Sequence, residues 1–375
     1  MGRVFETRHD QSYRSRSLAR EIRDLAAPRL LDERLEPALR NPQARPVPPR
    51  STQQAGRPEA SVAEALESHG GDRSSRRSGT IPEMPKPGLP PPQPLVTIVT
   101  PSFNQAEFIA DAIESVLTQD YPAIEYIVMD GGSTDSTLDV LRSCGDRVRW
   151  TSGPDGGQSD AIHRGFLAGS GEYIAWMNSD DRYVPGAISA AVADMALDPT
   201  AGLLYGRGEF IDRGGAVMGP ADHIEPWNLK RLIDTTNFLL QPATLFRREA
   251  YMAIGGLDTS LHYVMDYDLW IRLGSKYPVR YLPRVLAQAR VYGETKTETG
   301  GLPRLEEMDR MIRRNGGKGV PGAFRPQMRR ELKLARAEAV RQRRFGRAVQ
   351  LSFRIARYAT RAGLGCLRHA LRWGP

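Results

Sequence analysis

Residues Tyr173–Asp181 read YIAWMNSDD: an apolar run of strand character that stops in an amide, a hydroxyl and two adjacent carboxylates. Such a run reads as a buried strand of an α/β sheet, and ligands bind these sheets just beyond the carboxyl ends of their strands. Asp180 and Asp181 therefore stand where a ligand would stand. Two carboxylates so close repel one another unless a cation compensates, which points to a hard divalent metal, Mg2+ or Mn2+. The competing reading is that Ser179 or Asp180 only caps the helix expected from Gly186.

The neighbouring sequence fixes the fold class. Upstream, LVTIVTPSFN from Leu95 reads as a buried strand and a turn, and AEFIADAIESVLTQ places Phe108, Ile109, Ala112, Ile113, Val116 and Leu117 at helical spacing. Ile124 to Met129 is a second strand ending at Asp130, followed by a Gly-Gly-Ser-Thr turn and a helix from about Asp135 to Arg142. Val148 to Thr151 makes a short third strand, SGPDGGQSD a loop and Ala161 to Ala168 a helix before the strand at Tyr173. Alternating units of this length predict an α/β fold with a mostly parallel sheet and right-handed crossovers. Asp130, like Asp180, lies at a strand's carboxyl end, where it can bind a nucleobase or ribose or simply close an Asx-turn. The turn after the first strand, PSFNQAE, lacks both GxGxxG and the Lys-bearing P-loop, so a pyrophosphate would need a metal to neutralise it.

The stretches TIVTPSFNQAEFIADAIESVLTQDYPAIEYIVMDGGSTDSTLDVL and GPDGGQSDAIHRGFLAGSGEYIAWMNSDD resemble the nucleotide-binding half of glycosyltransferase family 2, and the resemblance runs from about Leu95 to Arg314. It implies a GT-A fold, a nucleotide-diphosphate-sugar donor (a UDP- or dTDP-sugar) and inversion at the anomeric carbon. It places Pro101, Phe103 and Asn104 against the nucleotide, Asp130 on the base and Asp155 at the pocket's rim, with Gln158 and Asp160 close by. Asp180 and Asp181 correspond to the DXD-like element, Asp181 for the metal and Asp180 shared between metal and sugar.

On the acceptor side, NFLLQPATLFRREAYMAIGGLDTSLHYVMDYDLWIRL resembles the family's acceptor region, where an acidic residue before a Tyr-Asp-Leu-Trp run serves as general base; by position this is Asp266. Inverting transfer needs one base, and a carboxylate in a partly desolvated cleft acquires a suitable pKa. Asp268 is open to participation or to helix stabilisation. Gln241 and Pro242 would shape the pocket floor; Tyr263, Tyr267 and Trp270 could stack on sugars, with core packing preferred for Trp270. The chain has His163 where the family has Asn, read as a packed or solvated residue, and Tyr292 where the family often has His; Arg290 and Lys296 could reach the diphosphate. The QxxRW element of processive synthases is absent, favouring transfer of one sugar. The acceptor is then a glycan or a lipid-linked sugar, and the alternative is a nucleotide-sugar-binding scaffold without turnover.

The rest of the chain frames this domain. The 375 residues divide into a Pro-rich region at 1–94, a catalytic domain at 95–314 (95–200 for the nucleotide-sugar, 201–314 for the acceptor) and a basic tail at 315–375. Residues 17–39 have helical composition interrupted at Pro28, and 41–94 are too rich in Pro, Ser and Gly to offset their ordering entropy. The formal charge of +8 belongs to the tail: residues 325–375 carry thirteen Arg and one Lys against two Glu. That tail reads as an amphipathic basic extension, packed on the domain or lying on anionic lipid. No nucleic-acid module accompanies the charge. No apolar run reaches the roughly 18 residues of a membrane span, which predicts a cytoplasmic protein, and Cys144 and Cys366 suggest neither disulfide nor zinc site.

Overall fold

A computed structural model describes residues 93–358. The helix expected around 17–39, the Pro-rich stretch to residue 92, and Cys366 lie outside them. The first strand, β1 (Val96–Ser102), is buried along its whole length and pairs in parallel with β2 (Ile124–Asp130) on one side and β4 (Tyr173–Trp176) on the other; β3 (Arg149–Ser152) adds in parallel to β2. Because the chain builds β1, β2 and β3 outward and then crosses back to place β4 beside β1, the strand order reverses at β1. Such a switch opens a crevice at the strands' carboxyl ends. Both faces of β1, β2 and β4 are covered, which is why their sequences are continuous apolar runs rather than alternating ones, whereas β3 at the sheet's edge is largely exposed. Val96, Ile98, Tyr126 and Val128 pack in one apolar layer and Val99, Ile127, Met129 and Trp176 in the other.

The α/β reading of this half is borne out. α1 (Ile109–Leu117) buries Ile109, Ala112, Ile113 and Val116, the i, i+3, i+4, i+7 stripe read from the sequence. α2 (Thr137–Ser143) follows β2. α3 (Gln158–Ala168) begins three residues earlier than its apolar pattern suggests. Gly157 takes φ 103°, a left-handed conformation that turns the chain into the helix at once, so Gln158 and Asp160 belong to a helical first turn. α4 (Ala187–Met195) starts where expected, but no side chain caps it; Ser179 instead donates to the carbonyl of Pro101, 2.5 Å away. The capping alternative for Ser179 and Asp180 is thereby removed.

The second half extends the sheet through antiparallel β8 (Thr244–Arg247), which joins β4 to β6 (Leu203–Ile211). β6 pairs in parallel with the long β9 (Val279–Arg290) and carries β7 (Val217–Pro220) at its far end, while β5 (Arg182–Tyr183) closes the order β3-β2-β1-β4-β8-β6-β9-β5. β5 follows directly from Asp181, so its pairing with β9 brings Arg290 back to the two carboxylates. α5 (Leu229–Asp234), α6 (Arg248–Ala253) and α7 (Met265–Lys276) cover this half.

The described tail is packed. After the short α8 (Lys296–Thr299), α9 (Gly301–Arg314) buries Leu305, Met308, Met311 and Ile312, α10 (Arg325–Arg341) buries Met328, Leu332 and Ala339, and α11 (Phe345–Arg357) buries Ala348 and Leu351. All of these join the apolar layer that contains Tyr205 and Trp270. No helix among the described residues is long and apolar enough to cross a membrane.

Candidate active site

The crevice is built from four turns. Between β1 and α1, Asn104 holds φ 53°, a conformation that Asn tolerates better than most residues, and its side-chain oxygen accepts the Thr134 amide at 2.8 Å. Its own amide donates to Ser133 Oγ at 2.8 Å. Asn104 thus stitches the β1 turn to the β2 turn, while Phe103 beside it is 59% exposed and free to meet a ligand. Pro101 is buried in β1 opposite Met129 and acts through its carbonyl.

Asp130 is buried at the end of β2 and accepts from the amides of Gly132 and Ser133 and from the hydroxyls of Ser133 (2.5 Å) and Ser152 (2.6 Å). The Asx-turn reading holds, yet a ligand role stays compatible with it, because Oδ1 carries only the Ser133 hydroxyl. A pocket of about 60 Å³ opens here, lined by Met129, Asp130, Thr151, Ser152, Asp155 and Arg164 among others. Asp155 reaches across Gly131 so closely that a Cβ there would sit 3.0 Å from Asp155 Oδ2. Arg164 was not legible as a site residue, since a single exposed arginine on a helix carries no pattern.

The two carboxylates after β4 part ways. Asp181 is buried, with Oδ1 accepting the Arg290 amide at 2.9 Å and Oδ2 accepting Asn178 Nδ2 at 3.0 Å. Asp180 is less buried; Oδ2 accepts the Tyr292 hydroxyl at 2.9 Å, the one hydrogen bond to its carboxylate from another residue among the described residues, and its own amide also reaches the carboxylate. Burial raises the pKa of both, and the Asp180 charge raises Asp181 further. The nearby Arg290 charge opposes both shifts only in part, and the negative charge that remains favours a cation.

Around them runs a continuous polar chain. Asn178 also donates to Gln241 Oε1 (2.8 Å) and accepts from Gln158 Nε2 (2.9 Å), while Gln241 donates to the Trp176 carbonyl. Lys296 donates to Gln158 Oε1 at 2.9 Å and to the His262 carbonyl at 2.7 Å, and burial lowers its pKa to about 8. The sequence reading of Gln158 and Gln241 as site residues therefore meets in one network, joined by Lys296 to the segment before α7. Pro242 is buried in the same turn as Gln241.

Asp266 stands in the first turn of α7, where burial pushes its carboxyl up to about 6; Tyr267's amide opposes the shift, as do the charges of Lys296 and Arg304 more weakly. Asp268, two residues on, points to the helix's other side because i and i+2 are roughly 200° apart. It is fully buried and accepts from Arg272 (2.6 Å), Arg314 (2.8 Å) and Asn315 (3.0 Å), a structural role that excludes direct participation. Tyr267, whose hydroxyl donates to the Leu232 carbonyl, and Trp270, stacked on Trp176 at 5.6 Å, are core residues; sugar stacking by Tyr267 is corrected accordingly. Tyr263 remains partly exposed. His163 bonds the Tyr251 hydroxyl at 2.7 Å, the packed role expected of it.

Two further side chains change the reading. Arg290 was expected to reach a diphosphate, but its guanidinium is buried and occupied by the carbonyls of Asp180, Asp212 and Arg213, by Asp111 and by the Phe108 ring. It is a structural clasp. Glu307 of α9 was missed altogether: its buried carboxylate accepts the amides of His262 (3.0 Å), Tyr263 (2.6 Å) and Val264 (3.0 Å), fixing the turn that leads into Asp266.

Comparison with known proteins bears on this geometry. The Glycosyl transferase family 2 model matches residues 97–255. An uncharacterized glycosyltransferase of Rickettsia typhi is 32% identical over 228 residues, covering 58% of this chain and 70% of the relative. A chondroitin synthase of Pasteurella multocida is 25% identical over 54% of this chain but only 21% of its own length. Among solved structures, the UDP complex of S. aureus TarS superposes with a TM-score of 0.48 at 18% identity, covering 59% of this chain and 65% of that one. With the Rickettsia relative matched over more than two thirds of its length and the family model aligned across the crevice, the chain belongs to glycosyltransferase family 2.

Proposed function

We propose that the chain moves one sugar from a nucleoside-diphosphate sugar to an acceptor hydroxyl with inversion, in the synthesis of a polysaccharide or glycoconjugate. The observation that carries this reading is the division of labour after β4, where both oxygens of Asp181 are held by donors from other residues and Asp180 accepts from one such donor only, the Tyr292 hydroxyl, among the described residues. Among the described residues no cluster of three His, Cys, Asp or Glu side chains could hold a metal alone. One outward carboxylate fits Mg2+ or Mn2+ well when the donor's phosphates complete the shell, the usual arrangement for Mg2+. Asp180 would hold the ion, and Asp181 would support it from behind. A bound ion would offset the charge gained by the departing nucleoside diphosphate.

The nucleobase goes to the pocket between Asp130, Asp155 and Arg164, which favours a small base such as uracil or thymine. Asp266 removes the acceptor hydroxyl's proton as that oxygen bonds the anomeric carbon. The bond from that carbon to the diphosphate breaks, and its electron pair leaves with the phosphate oxygen. Lys296, between Gln158 and the segment before Asp266, keeps positive charge near the donor and holds both halves in register. A polysaccharide or glycoconjugate product is supported by the likeness to the chondroitin synthase, which covers 54% of this chain.

Calorimetric titration of UDP in manganese and in chelator tests the donor site. The wild type should bind about tenfold to a hundredfold more weakly in chelator, and Asp180→Asn should abolish that difference. Asp181→Asn should keep it. Equal affinity in chelator, or loss of the metal response in Asp181→Asn alone, would return the metal to the position first read from the sequence or remove it.

A further inference from the structure

α11 has two apolar faces, and among the described residues only one of them is covered. Ala348, Leu351 and Ile355 pack toward the core. Phe345, Val349 and Phe353 recur at every fourth residue, on a stripe about a third of a turn away at roughly 100° per residue. They are 63%, 55% and 68% exposed. A single exposed apolar side chain is ordinary, but three aligned on one helix face form a surface with a purpose.

The surroundings say what kind of purpose. Arg343, Arg344, Arg347 and Arg357 are exposed and have no acidic partner among the described residues, whereas Arg354 is held by Glu306 at 2.6 Å. Residues 325–358 carry ten Arg and one Lys against two Glu, and the sequence beyond them adds Arg361, Arg368 and Arg372 without a carboxylate. A second copy of this chain would bring like charge to like charge. A nucleic acid would satisfy the arginines but leave the aromatic stripe in water. An anionic bilayer satisfies both at once, since the acyl boundary takes the Phe and Val side chains while the headgroups take the guanidinium groups.

We infer that α11 lies in the headgroup region of an anionic membrane, with Phe345, Val349 and Phe353 inserted, and holds the domain at the bilayer surface. The inference does not depend on the reaction proposed above. The test is flotation of the full-length chain with vesicles of phosphatidylcholine alone or with about 30% phosphatidylglycerol. The wild type should float with the anionic vesicles only and be released as salt rises. The double variant Val349→Ser, Phe353→Ser should lose at least about tenfold in partitioning, with its melting temperature unchanged because both positions are exposed. A wild type that ignores anionic vesicles, or a double variant that floats as well as the wild type, overturns the inference. So does a wild-type dimer in lipid-free solution that the double variant dissolves, which would make the stripe a self-interface, or binding to duplex DNA without vesicle flotation.

Discussion

Glu307→Ala should unfold the acceptor side at a temperature well below wild type, although residue 307 lies outside the family-matched region. In the wild type Glu307 is 7% exposed, and its carboxylate accepts three consecutive amides, those of His262, Tyr263 and Val264. His262 is exposed, so water can replace the lost bond at its amide. The amide of Val264 is buried and that of Tyr263 partly so, and a buried donor left unpaired costs about 1–3 kcal/mol. The loss is about 2–4 kcal/mol, and at about 2–4 °C per kcal/mol for a domain of this size the melting temperature should drop by about 5–10 °C. Differential scanning fluorimetry reads this directly. Glu307→Gln keeps one acceptor oxygen and should fall between the two. UDP affinity of the folded Ala variant should match wild type, because the nucleotide crevice is formed by β1, β2 and β4. A melting temperature within about 2 °C of wild type would show that the turn before Asp266 is held by something other than this carboxylate.

Asp268→Ala removes the acceptor of Arg272, Arg314 and Asn315; stripping one partner from a buried ion pair costs about 3–5 kcal/mol, and Arg314's exposure favours the lower end. Urea titration should show a lower midpoint at unchanged slope, and an unchanged midpoint would refute the structural role. The pH profile tests Asp266: with its pKa raised to about 6, the basic form accumulates above that value, so transfer should climb through pH 6 and level off. A raised carboxyl pKa means that the folded state binds protons more tightly than the unfolded one, so this group's favourable contribution is present at low pH and is lost as pH rises through 6. Asp266→Asn should accordingly melt no lower than wild type at pH 8, and a clear drop would assign the residue to packing instead.

In the sheet's first half β1, β2 and β4 were legible because they are buried on both faces, and the helices because each is buried on one. Continuous runs such as Val96–Val99 and the stripe of α1 state their environment in a short window. The carboxylates at strand ends were legible for the same reason, as polar residues ending apolar runs. What the windows hid is which partner each polar group finds. Asp180 and Asp181 look equivalent until β5 pairs with β9 and brings Arg290 and Tyr292 upon them from more than a hundred residues away. Arg290 looks like a free cation until its partners are known, one of them, Asp111, 179 positions distant. Asp266 and Asp268 are separable only once helix α7 is seen to begin before both. Glu307 sits in an Arg-rich helix with no local signal, and its three amides lie 43 to 45 residues upstream. Of the tail's two readings the packed one describes one face of α11, and another face stays uncovered among the described residues.

The proposed reaction needs one base on the acceptor side and one donor crevice on the other. Once nucleoside diphosphate release across a panel of UDP-, dTDP- and GDP-sugars has identified the donor, the deciding measurement is the transfer rate of Asp266→Asn beside its donor affinity. The substitution keeps the side chain's size and removes its basicity. Transfer should fall by roughly 10²- to 10⁴-fold with donor affinity within about twofold of wild type. A wild-type transfer rate in Asp266→Asn, or a loss of transfer that merely tracks lost donor binding, would contradict it.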